Sequence, residues 1–197
     1  MNPVEVKGAL ERCGAYLSGH FKLSSGRHSD TYIQKQRVFE HPRLTASLAD
    51  ALVAKFSDRG KPTFNVVVSP ALGAIVWGGF VAYAAHTRFL FTERDTSGAM
   101  VMRRGQTLSR DDRALVVEDV ITTGGSASEV IDVVDATGAS VVGVGALVDR
   151  SSTPPRFHLE ALLRVEAKDW DPADCPRCAA GDALESPGSR DMTTQGG

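Results

Sequence analysis

Only three cysteines occur in the 197 residues, at Cys13, Cys175 and Cys178. So few thiols, so unevenly placed, exclude a secreted disulfide framework, and reduced thiols are the expectation. No window approaches the roughly 20 apolar residues of a membrane span, and the start, Met1-Asn2-Pro3-Val4-Glu5-Val6-Lys7, lacks a basic stretch followed by an apolar one. A soluble, cytoplasmic protein is expected. Neither sign of charge dominates, with Lys+Arg 22 against Asp+Glu 24, and no long Lys/Arg run appears. That argues against a nucleic-acid partner. Two phosphate motifs are missing as well: there is no G-x-x-x-x-G-K-[ST], and Gly143-Val144-Gly145 lacks the third glycine of a dinucleotide turn.

What is present is a chain that is 42% hydrophobic and long enough to bury a sizeable core as one α/β domain. Its elements alternate. Val4 to Tyr16 reads as a helix, and Gly19 to Ile33 as strand, polar turn and strand, a hairpin suited to forming a hood over a ligand. Pro42 to Arg59 reads as a helix with Leu44, Leu48, Leu52 and Phe56 as a core-facing stripe. Asn65 to Ser69 is a β-branched strand running through Ser69-Pro70-Ala71-Leu72-Gly73-Ala74 into a helix that ends at Ala85. Arg88 to Phe91 continues into a flexible, charged hairpin bearing Arg94, Arg103 and Arg104. A closing loop with those cations would exclude water from an anionic leaving group, although arginines of a solvated hairpin simply face water. A strand from Arg113, a helix from Ala127 to Ala136 and a strand from Ser140 to Arg150 form the last clear βαβ unit.

The densest chemistry lies in Leu115-Val116-Val117-Glu118-Asp119-Val120-Ile121-Thr122-Thr123-Gly124-Gly125-Ser126. An apolar strand runs into two carboxylates and then into a small, hydroxyl-rich turn opening a helix. Thr122, Thr123 and Ser126 supply hydroxyls, Gly124 and Gly125 let backbone N–H groups close on an anion, and the helix adds its positive end. Glu118 and Asp119 cannot hold phosphate; they suit sugar hydroxyls, or Mg²⁺ directly or through water. An ordinary capped turn would need only one such residue. Arg150 is expected beside the Thr122 loop, since parallel strands deliver ligand sites at their C-terminal ends. Its alternative role is a salt bridge to Asp149 or another acid.

The Glu118 to Ser126 segment resembles the phosphoribosyl-diphosphate signature of the type I phosphoribosyltransferases. Phe21-Lys22-Leu23-Ser24-Ser25-Gly26-Arg27-His28-Ser29, that signature and Val148-Asp149-Arg150 occur in the order seen in the orotate phosphoribosyltransferases, and the ending from Cys175 to Arg190 is similar to a shorter bacterial branch. The resemblance implies an α/β type I phosphoribosyltransferase fold, a parallel twisted sheet flanked by helices with a small N-terminal hood at about residues 1–36. Residues 1–170 would form one domain and 171–197 a C-terminal extension, with a disordered tail from Asp191. It further implies transfer of phosphoribosyl from phosphoribosyl diphosphate to orotate, giving orotidine 5′-monophosphate with Mg²⁺ as cofactor, in a homodimer. Val120 to Ser126 with Ala71, Leu72 and Gly73 would bind the donor, while Ser24, Ser25, Tyr32, Thr122 and Arg150 would bind orotate. Glu118 and Asp119, with Arg94, Arg103 and Arg104, would be catalytic. A different base, or a non-catalytic sensor of the donor, are the competing readings.

The chain departs from that pattern where many orotate enzymes place a lysine before Ser-Gly-Arg, here Ser24, and in lacking a Lys- and His-bearing run at Asp95 to Ala99. Cys175-Pro176-Arg177-Cys178 has the spacing of half a zinc knuckle or a redox pair. One pair supplies only two metal ligands, and no second C-x-x-C or His pair is read in the chain, so the expectation is a structural turn rather than zinc or redox chemistry.

Overall fold

In the computed structural model, residues 1–23 and 25–187 are described. The chain runs α1 (Pro3–Arg12), β1 (Tyr16–Lys22), β2 (His28–Ile33), α2 (Gln36–Phe39), α3 (Pro42–Lys55), β3 (Ser57–Asp58), β4 (Lys61–Pro62), β5 (Val66–Pro70) and α4 (Ile75–Ala85). It continues through β6 (Arg88–Arg94), β7 (Met100–Met102), β8 (Arg113–Ile121), α5 (Gly125–Asp135), β9 (Ser140–Asp149), β10 (Leu159–Arg164), β11 (Asp169–Trp170) and α6 (Pro176–Ala179).

Six strands make the main sheet in the order β10-β9-β8-β5-β6-β7, parallel except for β7. Every residue of β5 is buried, as expected for a strand covered on both faces. Alternation sorts its side chains: Val67 joins Leu48, Leu52, Trp77 and Val81 on the face covered by α1, α3 and α4. Val66 and Val68 join Ala127, Val130 and Val134 under α5. A smaller sheet, β1-β2-β11, forms the hood, and its third strand comes from the C-terminal part of the chain.

Several boundaries differ from the sequence expectation. α1 stops at Arg12 rather than Tyr16, because Tyr16 is drawn into the hood by pairing with Ile33. α3 ends at Lys55 rather than Arg59, since Ser57 and Asp58 pair with Pro62 and Lys61 around a left-handed turn at Arg59 and Gly60. α5 begins two residues earlier than expected, at Gly125. β10 and β11 went unforeseen; both lie in a stretch after Arg150 with weak apolar patterning. Ser24 and the tail from Asp191 lie outside the described residues.

Leu48 is fully buried between α3 and the sheet. Leu48→Ala should therefore cost about 2–5 kcal/mol, read as a lowered denaturation midpoint in urea. A loss under about 1 kcal/mol would mean that this face of the sheet is not the core.

Candidate active site

The site begins with topology. From β5 the chain crosses through α4 to β6 on one side, and from β8 it crosses through α5 to β9 on the other. β5 and β8 are neighbours, so the loops leaving their C-terminal ends diverge and open a crevice between them.

One lip of the crevice follows β8. Thr122, Thr123, Gly125 and Ser126 are exposed there. Gly124 adopts φ +77°, and a side chain at this position would also meet Phe157 at 3.0 Å. No side chain caps α5. Its first-turn N–H groups are thus available to an anion, apart from that of Gly125, which reaches Thr123 Oγ1 at 3.4 Å. Val120 and Ile121 belong to the strand itself. The Val120 N–H donates to Asp119 Oδ1 at 2.7 Å, and Ile121 is buried with its carbonyl accepting from the Arg150 N–H at 2.8 Å. The Val120 side chain packs against the core.

At the floor, Asp119 is only 2% exposed and forms an ion pair with Lys35, which follows the second hood strand. Glu118 Oε1 accepts the Asp119 N–H at 3.1 Å. Burial first, and the Asp119 carboxylate second, push Glu118 up to about 8 despite the nearby Lys35 cation. The loop after β5 closes over this pair at Gly73, where a Cβ would fall 2.5 Å from Lys35 Nζ and 2.7 Å from Asp119 Oδ2. Ala71 is half-buried, its N–H donating to the Thr92 carbonyl at 2.7 Å. Leu72 is 84% exposed. Sequence reasoning missed Lys35: nothing local marks it, and only the fold brings it to Asp119.

The other lip follows β9. Arg150 leaves that strand beside Ile121 and turns toward the hood, where its Nη2 donates to Ser29 Oγ at 3.2 Å. Its Nε is buried without a hydrogen-bond partner. Burial pulls the guanidinium below its ordinary range, opposed by Asp169 and Asp30. The alternative partner Asp149 instead meets Arg164, at 3.6 Å. Tyr32, half-buried on β2, packs against Phe21 with ring centres 5.8 Å apart. Ser25 sits exposed at the hairpin tip, its Oγ accepting the Arg27 N–H at 3.4 Å. The hydroxyl that meets Arg150 is that of Ser29.

The hairpin arginines are not gathered at the carboxylates. Arg94 donates to Glu129 of α5 at 2.6 and 3.3 Å, beside the helix that follows the phosphate-type loop. Arg103 and Arg104 pair with Glu93 at 3.8 and 3.0 Å. Local acids satisfy these charges, and Asp95 fastens the hairpin tip by accepting from Ser97 and Ala99.

The family described as the phosphoribosyl transferase domain matches residues 34–157. The orotate phosphoribosyltransferase of Chlorobium phaeobacteroides (strain BS1) is 46% identical over 183 residues, 92% of this chain and 93% of the relative. That of Desulforamulus reducens is 45% identical over 98% of this chain and 100% of its own length. The crystal structure of the orotate phosphoribosyltransferase from Aeropyrum pernix superposes with a TM-score of 0.64 at 26% identity, covering 82% of this chain and 94% of that one. Near full-length identity of this order shows that the chain belongs to the orotate phosphoribosyltransferases.

Proposed function

We propose that the protein transfers phosphoribosyl from phosphoribosyl diphosphate to orotate, the pyrimidine-forming step that yields orotidine 5′-monophosphate and diphosphate. The carrying observation is Arg150, a half-buried guanidinium with an unpartnered Nε beside the crevice. Such a group calls for a planar anion, and the orotate carboxylate is one. A purine or uracil would leave it without that partner.

The N1–C1′ bond forms as the bond from C1′ to diphosphate breaks, and the N1 proton is released. Positive charge grows on the ribose while negative charge grows on diphosphate. The Thr122 to Ser126 loop and the N-terminus of α5 anchor the 5′-phosphate. Glu118 and Asp119 accept from the ribose hydroxyls and lie beneath the developing cation, and Tyr32 walls the base. Gly73 lets the β5 loop approach the diphosphate side.

Mg²⁺ fits this site through the donor rather than through a protein cage. One oxygen of Asp119 accepts the Val120 N–H and the other pairs with Lys35, so a direct bond to the ion would compete with Lys35. Glu118 and Asp119 would thus hold the ion through water or the sugar hydroxyls. When bound with the donor, Mg²⁺ supplies neutralising charge for the leaving diphosphate. Of the hairpin cations, we assign that role to Arg94, which reaches Glu129 of α5.

A homodimer is supported by exposed apolar side chains on α4 and in the loop before it: Val76 and Tyr83 are 46% and 75% exposed, and Leu72 is 84% exposed. A cytoplasmic location agrees with three free thiols. No helix among the described residues is long and apolar enough to cross a membrane.

The direct test is diphosphate release from phosphoribosyl diphosphate and Mg²⁺ with orotate, uracil, hypoxanthine, guanine, adenine and xanthine supplied separately. Turnover with orotate alone is expected; turnover with another base would discard the Arg150 pocket. Lys35→Ala should destabilise by up to about 3–5 kcal/mol, because it leaves the Asp119 charge buried and uncompensated. Adding Asp119→Asn should restore much of that stability while activity stays ~10²–10³ below wild type. A double variant no more stable than Lys35→Ala would show that the pair does not matter to folding.

A further inference from the structure

We propose that His20, His28, Cys175 and Cys178 form a tetrahedral zinc site that staples the C-terminal segment to the hood. One ligand atom from each lies within 4.8 Å of all the others. His20 Nε2 is 3.1 Å from His28 Nδ1 and 3.4 Å from Cys175 Sγ, while Cys178 Sγ is 3.2 Å from His28 Nδ1 and 3.7 Å from His20 Nε2. Zinc bonds of the usual lengths at tetrahedral angles put nitrogens about 3.3 Å apart and nitrogen and sulfur about 3.5 Å apart. The observed nitrogen–sulfur distances bracket their value, and the nitrogen–nitrogen distance of 3.1 Å lies just below its own. Pairwise hydrogen bonding requires no such four-way convergence, whereas a metal requires it.

The surroundings point the same way. His20 Nδ1 lies 3.1 Å from the Asp182 carbonyl, which can only accept. That contact fixes the proton on Nδ1 and leaves the Nε2 lone pair facing the cluster, the outer contact characteristic of metal-bound histidine. His20, His28 and Cys175 are almost fully buried. Cys175 caps the short α6 that carries Cys178, and the Ala179 N–H donates to the Cys175 carbonyl at 3.1 Å, a compact knuckle. The C-x-x-C pair thus does have its two further ligands, supplied by the two hood strands from about 150 residues away. A thiol-disulfide pair would explain the cysteines but not the two buried imidazoles aimed at them.

The staple bears on the base side of the active site. Glu185 bridges to β1 on either side of Phe21, its N–H donating to the His20 carbonyl and its carbonyl accepting from the Lys22 N–H, each at 2.8 Å. His28 directly precedes Ser29, whose hydroxyl meets Arg150. Fixing His28 therefore fixes the strand that carries Ser29 and Tyr32.

The test uses the full chain, purified without chelator. Elemental analysis should find one zinc per chain, and Co²⁺ exchanged into the site should show the red ligand-field bands and thiolate charge transfer of a tetrahedral S₂N₂ centre. Thiol reagent should label Cys13 alone until a strong chelator is added, and then all three cysteines. His28→Ala and Cys178→Ser should each lose the metal, whereas Cys13→Ser should retain it. Hydrogen exchange in residues 175–185 and in β1 should rise on chelation, which does not depend on any variant folding. A reduced wild-type chain that takes up neither Zn²⁺ nor Co²⁺ would overturn the proposal, as would a Cys175–Cys178 disulfide whose reduction creates no metal site.

Discussion

The ion pair between Lys35 and Asp119 joins the two halves of the molecule at the place where chemistry has to occur. Asp119 is carried to the end of a central strand and buried there, a position that a carboxylate occupies only with compensation. The compensation comes from the hood. The residue that neutralises the sheet's acid lies two positions beyond β2, so the pair ties the end of that hood strand to the crevice floor. Gly73 completes the junction, since any side chain there would displace one partner or the other.

From that junction the site divides by charge. On one side an uncapped helix, two threonines and two glycines present N–H and hydroxyl groups to a phosphate. On the other, Arg150 is held in a partly desolvated position by a hydrogen bond to Ser29, with the Asp169 and Asp30 charges acting on it and its Nε unpartnered. Between them burial, and the neighbouring Asp119 carboxylate after it, push Glu118 up to about 8. The strand reversal between β5 and β8 makes these groups face a single opening although they come from four separate segments.

The donor side was legible in the sequence because it is contiguous. Glu118 to Ser126 carries strand, acids, hydroxyls, glycines and helix start in one run, and the structure keeps them together. Arg150 was legible through strand grammar alone. What depends on chain-distant pairing was not: Lys35 has no motif around it, and the two histidines facing Cys175 and Cys178 stand in the hood. The expectation that no His pair accompanies this cysteine pair is corrected by the fold, which brings His20 of β1 and His28 of β2 to it. Arg103 and Arg104 were read from charge and placement, and Glu93 across the hairpin claims both.

The assignment of the two lips is tested most directly by base discrimination, because orotate differs from uracil by the carboxylate that Arg150 is held to meet. The measurement is kcat/KM for both bases with wild type and with Arg150→Ala. The account predicts that wild type strongly prefers orotate, and that the substitution lowers orotate kcat/KM by ~10²-fold or more while leaving the value for uracil and the KM for phosphoribosyl diphosphate nearly unchanged. Equal losses for the two bases, or a loss confined to the donor's KM, would contradict it and move Arg150 from the base pocket to the scaffold.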